Sequence, residues 1–411
     1  MNNAVNGADT AFVIFATALV MLMTPALALF YGGMVRRKNV LSTTMHSYAA
    51  VVIVSLQWIL IGYTLCFGKD ISGIIGSFNF AGLKGVGFAP NADYAATIPH
   101  QAFMLFQLMF AIITPALISG SLAERMKFIA FAVFVLLWST LVYDPIAHWM
   151  WGVNGWIRNL GALDFAGGNV VHISSGVSAL VVALVLGGRK KKETVTPHHL
   201  PMTVLGAGLL WFGWFGFNAG SALAVNDIAL NAFVTTNTAA AASALAWSIC
   251  EYIHRKKVTS LGVASGAVAG LVAITPGAGF VSPLASILIG LIGGAICFSS
   301  VTFLKAKLGY DDALDAVGCH GIGGMWGGIA TGIFAWKGIN SGGADGLIHG
   351  NPHLVLVQLI AIVSTIVFSA VVTFIIIKVI SLFSGLRVKE EDEQVGLDVS
   401  QHGEEAYGGL I

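Results

Sequence analysis

Apolar and polar positions in this chain arrive in blocks rather than in short alternation. Stretches of about 20 mostly apolar residues, the length that crosses a bilayer as a helix, run near 9–34, 41–66, 98–123, 127–151, 165–187, 199–220, 226–252, 261–279, 282–304, 317–336 and 353–383. Short polar connections separate them. The pattern predicts an all-α membrane protein with eleven transmembrane helices. From Gly385 onward the chain is polar and acidic, with Glu390, Glu391, Asp392, Glu393, Asp398, Glu404 and Glu405. Two units follow: a transmembrane domain over 1–384 and a cytoplasmic tail over 385–411, a segment suited to docking or regulation. The first stretch lacks a basic leader and a small-residue cleavage site, so it reads as a span and not as a signal peptide.

Orientation follows from the basic residues. If the N-terminus is outside, the inner connections hold Arg36, Arg37, Lys38, Arg125, Lys127, the run Arg189 to Lys192, Arg255, Lys256, Lys257, Lys305, Lys307, Lys378, Arg387 and Lys389. That is 17 of the 21 Lys and Arg; the outer side keeps Lys69, Lys84, Arg158 and Lys337. The excess inside predicts N-terminus out and C-terminus in.

Composition narrows the class. Only 10% of residues are charged and 56% are hydrophobic, with a mean hydropathy of +0.82; a soluble domain carries about 25% charged residues. The net charge of +1 points to no nucleic-acid partner. Cys66, Cys250, Cys297 and Cys319 lie in apolar runs without CxxC spacing and read as small core residues. No zinc site, nucleophile elbow, P-loop, HExxH or GxGxxG context occurs. The chain is therefore read as no enzyme, with no catalytic residue, metal or cofactor.

One stretch organises the rest. In Asp164-Phe165-Ala166-Gly167-Gly168-Asn169-Val170-Val171-His172 an aspartate precedes, by eight residues, a histidine well inside an apolar span. Asp312 and His320 repeat that spacing half a chain later, on the tenth stretch against the fifth. Matching motifs there predict two inverted five-helix repeats plus one C-terminal helix, with the route at their interface near the midplane. Ionisable groups at membrane depth cost about 2.5–3.5 kcal/mol on insertion scales, so they persist where they have a partner or a task. Either histidine alone reads as a buried ring bonded to a carbonyl. As a pair, His172 and His320 are expected to meet in one pore, share a neutral or singly charged state and offer a proton relay.

Other polar and aromatic residues have two readings each. Asp164 caps free amides at a helix start or holds backbone carbonyls toward a cation; Asp312 and Asp315 can do the same at the other side. Phe106 and Phe110 lie one turn apart. Trp151 is an interfacial belt residue or a cation–π face at the outer mouth. Trp214, Phe215 and Phe217 precede Asn218 and Ser221, whose hydroxyl adds an acceptor. Stacked phenylalanines would block hydrated ions as a dry constriction does. His148 reads as structural, and His198 and His199 as interfacial. Gly262, Gly266 and Gly270 share one helix face, as do Gly324, Gly328 and Gly332, and such faces let backbones approach closely.

Taken together, Ala28-Leu29-Phe30-Tyr31-Gly32-Gly33, Leu122-Ala123-Glu124-Arg125, Pro145-Ile146-Ala147-His148, Asp164 to Gly168, Trp214 to Ser221 and the tail Gly396-Leu397-Asp398 resemble an ammonium transporter of the Amt/Mep/Rh family, bacterial Amt type. The resemblance covers nearly the whole chain. It implies a homotrimer of eleven-helix protomers in the inner (plasma) membrane, multi-pass in the lipid bilayer, serving nitrogen metabolism. By resemblance, Phe106, Phe110, Trp151 and Ser221, supported by Asp164, match the ammonium recruitment site. Phe110 and Phe217 match the gate. His172 and His320 match the twin histidine pair, and Leu210, Trp214 and Thr275 match other pore positions. The tail matches one that, in many members, takes part in regulation by a PII-type signalling protein. Cys319 departs from the aliphatic residue expected beside His320, and Arg189 to Lys192 is an unusually basic loop.

Transport of ammonium, with ammonia crossing an apolar lumen after losing its proton, is thus the leading expectation. An ammonium sensor signalling through its tail is the alternative, although such sensors often carry a longer output domain. A bis-histidine haem carrier is permitted by facing histidines but supported by no redox motif.

Overall fold

A computed structural model describes residues 5–190 and 196–408; Lys191 and Lys192 of the basic run lie outside the described residues. Nine helices among the described residues are long and apolar enough to cross a membrane. They are α1 (Gly7–Met34), α2 (Arg37–Phe67), α3 (His100–Leu122), α4 (Phe128–Asn159), α5 (Gly168–Leu186), α6 (Leu200–Gly220), α7 (Asp227–Arg255), α9 (Pro283–Leu308) and α11 (His353–Ser384). The two remaining apolar stretches are shorter helices: α8 (Ser260–Ile274) and α10 (317–334), whose first turn, Val317–Ile322, is π-helical before Gly323–Phe334 continues as α. Pro276, with no N–H to extend the ladder, stops α8 earlier than the apolar run suggests. Starts are coded locally: the side chains of Asn6, Asn226, Thr259 and Ser282 accept amides at the beginnings of α1, α7, α8 and α9.

The helices pair as two sets that meet at the centre. α1 lies along α6, and α7 lies along α8 and α9. Gly262, Gly266 and Gly270 all face α7, where an added methyl would strike Glu251, Trp247 and Ala239. Small residues let these backbones touch, gaining van der Waals contact that lipid-facing leucines cannot supply. Gly324 and Gly328, by contrast, face His172 and Ile362, so the second glycine face seats α10 against α5 and α11.

At one end, two short hairpins, Asp70–Ile71 with Ile75–Gly76 and Pro90–Asn91 with Ala95–Pro99, form a cover between α2 and α3. At the other end, the basic connections converge. Glu124 accepts from Arg36 Nε (2.9 Å), Asn39 (2.8 Å) and Arg189 (3.2 Å). Asp311 pairs with Arg189 (2.8 Å) and Arg125 (3.2 Å). Burial pushes the Glu124 and Asp311 carboxyls up, but Arg36 together with the Asn39 and Arg36 hydrogen bonds at the first, and Arg125 together with Arg189 at the second, jointly outweigh it, and both end below their usual range.

The tail folds back onto this end as α12 (Glu390–Val395) and α13 (Leu397–His402). Gly396, with φ of 118°, lies against Lys38 so closely that a side chain would overlap its carbonyl. Leu397 N donates to Asn39 (2.8 Å), and Asp398 accepts the Ser42 amide (2.8 Å). The tail aspartate thus caps the α-helical start of α2 from a distance of more than 350 residues in sequence. Arg387 bonds the carbonyls of Leu186 and Gly188 and pairs with Glu393 (2.7 Å).

Candidate functional site: a stacked passage between two helix starts

Asp164 begins the site. Its two carboxylate oxygens accept the amides of Gly167 (2.9 Å), Gly168 (2.5 Å), Asn169 (2.8 Å) and Val170 (3.3 Å). Burial pushes the carboxyl up from its usual value while these four amides pull it down; burial prevails. Of the two readings, the capping one describes what the carboxylate does. Its backbone carbonyl does separate work: it accepts the Trp151 indole N–H at 2.9 Å and holds that ring at the mouth.

α5 opens as a π-helical turn, Gly168–Ile173, and His172 sits in it. α10 opens the same way, and His320 sits in that turn. Asp312 accepts the Val317 amide (2.8 Å), as Asp164 does for α5. Asp315 does not repeat the motif; it pairs with Lys305 (2.5 Å). α5 and α10 cross where Gly176 meets Gly321, with no room for a methyl at Gly176. That crossing brings the imidazoles together: Nδ1 to Nδ1 is 3.3 Å and the rings lie 5.3 Å apart at 25°. His172 Nε2 is buried and has no hydrogen-bond partner among the described residues.

Above the pair the rings continue. Trp214 stacks on His172 (5.4 Å, 24°), and Phe217 lies 6.1 Å from it. Phe110 packs on Phe217 at 4.2 Å and meets Trp151 edge-on at 6.0 Å. Beyond Phe110 a cavity of about 480 Å³ opens, lined by Phe110, Trp151, Asp164 and Ser221 together with Gln107, Tyr94, Arg158 and Phe280. Below Phe217, an enclosed void of about 10 Å³ touches His172, His320, Leu210 and Trp214. That is room for about one water-sized molecule. Its other walls, Met23, Leu27, Phe30, Ile113, Leu117, Val171 and Val268, are apolar.

Two expected residues stand behind the walls. Phe106 packs edge-on against Phe110 (5.0 Å) without lining the outer cavity. Thr275 accepts the Trp214 indole N–H at 2.9 Å and donates to Leu271 O, so it anchors a wall ring. Ser221 lines the cavity, its hydroxyl donating to Phe217 O (2.8 Å) while its oxygen remains an acceptor. Outside the passage, His148 bridges the Cys66 carbonyl (2.7 Å) and Asp70 (2.9 Å), a structural role. His198 joins the Val35 carbonyl to the Tyr407 hydroxyl of the tail.

Sequence reasoning missed Gln107, whose buried Oε1 has no partner among the described residues; its position one residue after Phe106 was the available signal. It also missed Met23, Leu27 and Phe30, whose i, i+4, i+7 spacing marks one helix face.

The profile of the Ammonium Transporter Family matches residues 11–407. The chain belongs to this family. A curated relative from Bacillus subtilis, named an ammonium transporter, is 61% identical over 399 residues, covering 97% of this chain and 98% of the relative. The crystal structure of Saccharomyces cerevisiae Mep2 superposes with a TM-score of 0.88 at 37% identity, covering 94% of this chain and 91% of that one. A sensor Amt protein superposes equally well, with a TM-score of 0.88 at 29% identity over 96% of this chain and 98% of the other. A member of this family with these apolar spans is a multi-pass membrane protein.

Proposed function

We propose that the chain is an ammonium transporter of the inner membrane. It has eleven crossings in two inverted five-helix halves plus α11, N-terminus out and C-terminus in, and works as a homotrimer. The observation that carries the reading is the continuous stack Trp151, Phe110, Phe217, His172, His320, leading from an open polar-rimmed cavity into an apolar void.

Ammonium enters the outer cavity, where the Trp151 face attracts a small cation and the Ser221 oxygen accepts one N–H. Going deeper requires shedding charge, because burying an ion in apolar surroundings without a paired charge costs far more than burying a neutral molecule. Phe110 and Phe217 close the way to hydrated ions. Ammonia then follows the void. With Nδ1 facing Nδ1, one imidazole donates and the other accepts. The donor's proton thus lies between the rings, and the acceptor keeps its own proton on Nε2. His172 Nε2, without a partner among the described residues, is a site for the passing molecule, and the pair supplies a separate path for the proton.

Sensing is the second reading, favoured by the likeness to a sensor Amt protein; the docked tail would carry the signal, with a PII-type protein as the expected partner at that face. Methylammonium uptake in a transporter-deficient cell separates the two. Uptake that saturates and is competed by ammonium supports transport; a purified, folded protein with no uptake supports the sensor.

A further inference from the structure

The outer cavity is far larger than the ion proposed to enter it. Its volume of about 480 Å³ falls in the range of about 300–1,000 Å³ of small-molecule sites. The void beyond the gate holds about one water-sized molecule. We propose that this cavity also binds a neutral α-amino acid with a large apolar side chain, which plugs the mouth against ammonium. The inference rests on the reading of Trp151 and Ser221 as the ammonium site and names a competitor for it.

Charge selects a zwitterion. Acceptors for an ammonium group line the cavity: the Trp151 ring face, the Ser221 oxygen and Gln107 Oε1, which has no partner among the described residues. A cation stands beside them. Arg158 is exposed, lines the same cavity and donates from Nη1 to the Trp151 carbonyl at 2.7 Å. That is its one hydrogen bond among the described residues, so most of its five N–H donors are open to a ligand. The guanidinium fork matches a carboxylate. Trp151 thus offers its ring to an ammonium group and its carbonyl to the side chain that takes a carboxylate. Arg158 adds nothing to the binding of a bare cation, whereas it pairs with the carboxylate of a zwitterion. Of the two carboxylates lining the cavity, Asp164 is spent on four amides and Asp93 stands exposed. Asp93 disfavours a second negative charge on the ligand and Arg158 a second positive one, which leaves the neutral amino acids.

The rings select the side chain. Tyr94 and Phe103 stack at 5.3 Å and 12°, and Phe67 meets both edge-on at 5.1 Å. All three line the cavity. Phe103, Gln107 and Phe110 stand at i, i+4 and i+7 on α3 and share one face, so the apolar wall, the acceptor and the gate follow in that order. Such rings give an aromatic side chain a large contact area. An amino acid of that size exceeds the inner void, so it occupies the mouth without crossing.

Isothermal titration of the purified full-length protein with L-phenylalanine tests this. Two analogues each lack one charge: phenylalaninamide has no carboxylate and 3-phenylpropionate has no ammonium. Phenylalanine should bind more tightly than either by roughly tenfold or more, the weight of a hydrogen bond to a charged group. Ammonium chloride should displace it, and sodium chloride at equal concentration should not. Arg158→Gln should bring phenylalanine and phenylalaninamide to parity, and Arg158→Lys should keep part of the difference. Equal binding of the two by the wild type would overturn the proposal, as would an undiminished preference in Arg158→Gln or phenylalanine that ammonium does not displace. Absence of binding in protein that takes up methylammonium would overturn it and leave the transport reading standing. Ammonium-sensitive binding in protein without uptake would support it and remove the transport reading.

Discussion

His172 Nδ1 lies 3.3 Å from His320 Nδ1, so the two rings cannot both hold a proton at that position. The contact fixes opposite tautomers on the pair and joins residues 148 apart in sequence. In the proposed mechanism the rings above it in the stack, Phe217, Phe110 and Trp151, deliver a molecule to this pair in a dry environment.

The glycine crossing is the mechanical basis of that contact. Gly176→Ala should push α10 from α5, because its methyl would overlap the backbone of Gly321. Overpacking of this kind costs about 1–3 kcal/mol. A lowered unfolding temperature with sharply reduced uptake is expected. A variant with wild-type uptake would show that the two rings need not be held at this separation.

Phe217→Ala removes the ring between Phe110 and His172 while leaving lumen on one side, so it should destabilise less than the ~3–5 kcal/mol typical of a core phenylalanine. Leak of potassium should rise in proteoliposomes, since the dry constriction is opened. A tight, fully selective variant would count against a gating role.

Thr275→Val keeps shape and removes the acceptor of the Trp214 indole. Leaving a buried N–H unpaired costs about 1–3 kcal/mol. Transport should fall because Trp214 stacks on His172. Thr275→Ser, which restores an acceptor, should recover it; failure of that rescue would make the residue a packing element only.

At the tail, burial lowers the His198 and His402 imidazoles below the ordinary 6.5. The Val35 carbonyl opposes the shift at His198, and Asp398 and Glu404 oppose it at His402. Unfolded or undocked chain then binds more protons between the lowered values and 6.5, so docking is complete above 6.5 and weakens as pH falls below it. Limited proteolysis should cut the tail faster at pH 5.5 than at pH 7.5. Equal rates would contradict the coupling. Asp398→Ala should expose the tail at both pH values, at a cost of about 0.5–2 kcal/mol for the lost cap.

Much of this was legible in the chain. Long apolar blocks mark where the helices run, and the eight-residue spacing from Asp164 to His172, repeated by Asp312 and His320, marks the two rings that meet. Less visible was anything set by backbone geometry. The π-helical starts of α5 and α10 have no sequence periodicity of their own. The resemblance puts Phe106 beside Phe110 at the recruitment site, yet of the two only Phe110 lines the outer cavity. Thr275 seemed a pore residue, but its hydroxyl is spent on Trp214. Asp398 in a polar tail gave no hint that it caps a helix start at Ser42, because capping across 356 residues leaves no local pattern.

The central claim is that a neutral molecule passes along the paired imidazoles. Ammonium uptake into proteoliposomes by the folded His172→Ala protein tests it most directly. Loss of a proton-transfer partner should lower uptake by roughly 100-fold or more, or open the lumen to potassium. Wild-type ammonium uptake with wild-type selectivity in that variant would contradict it.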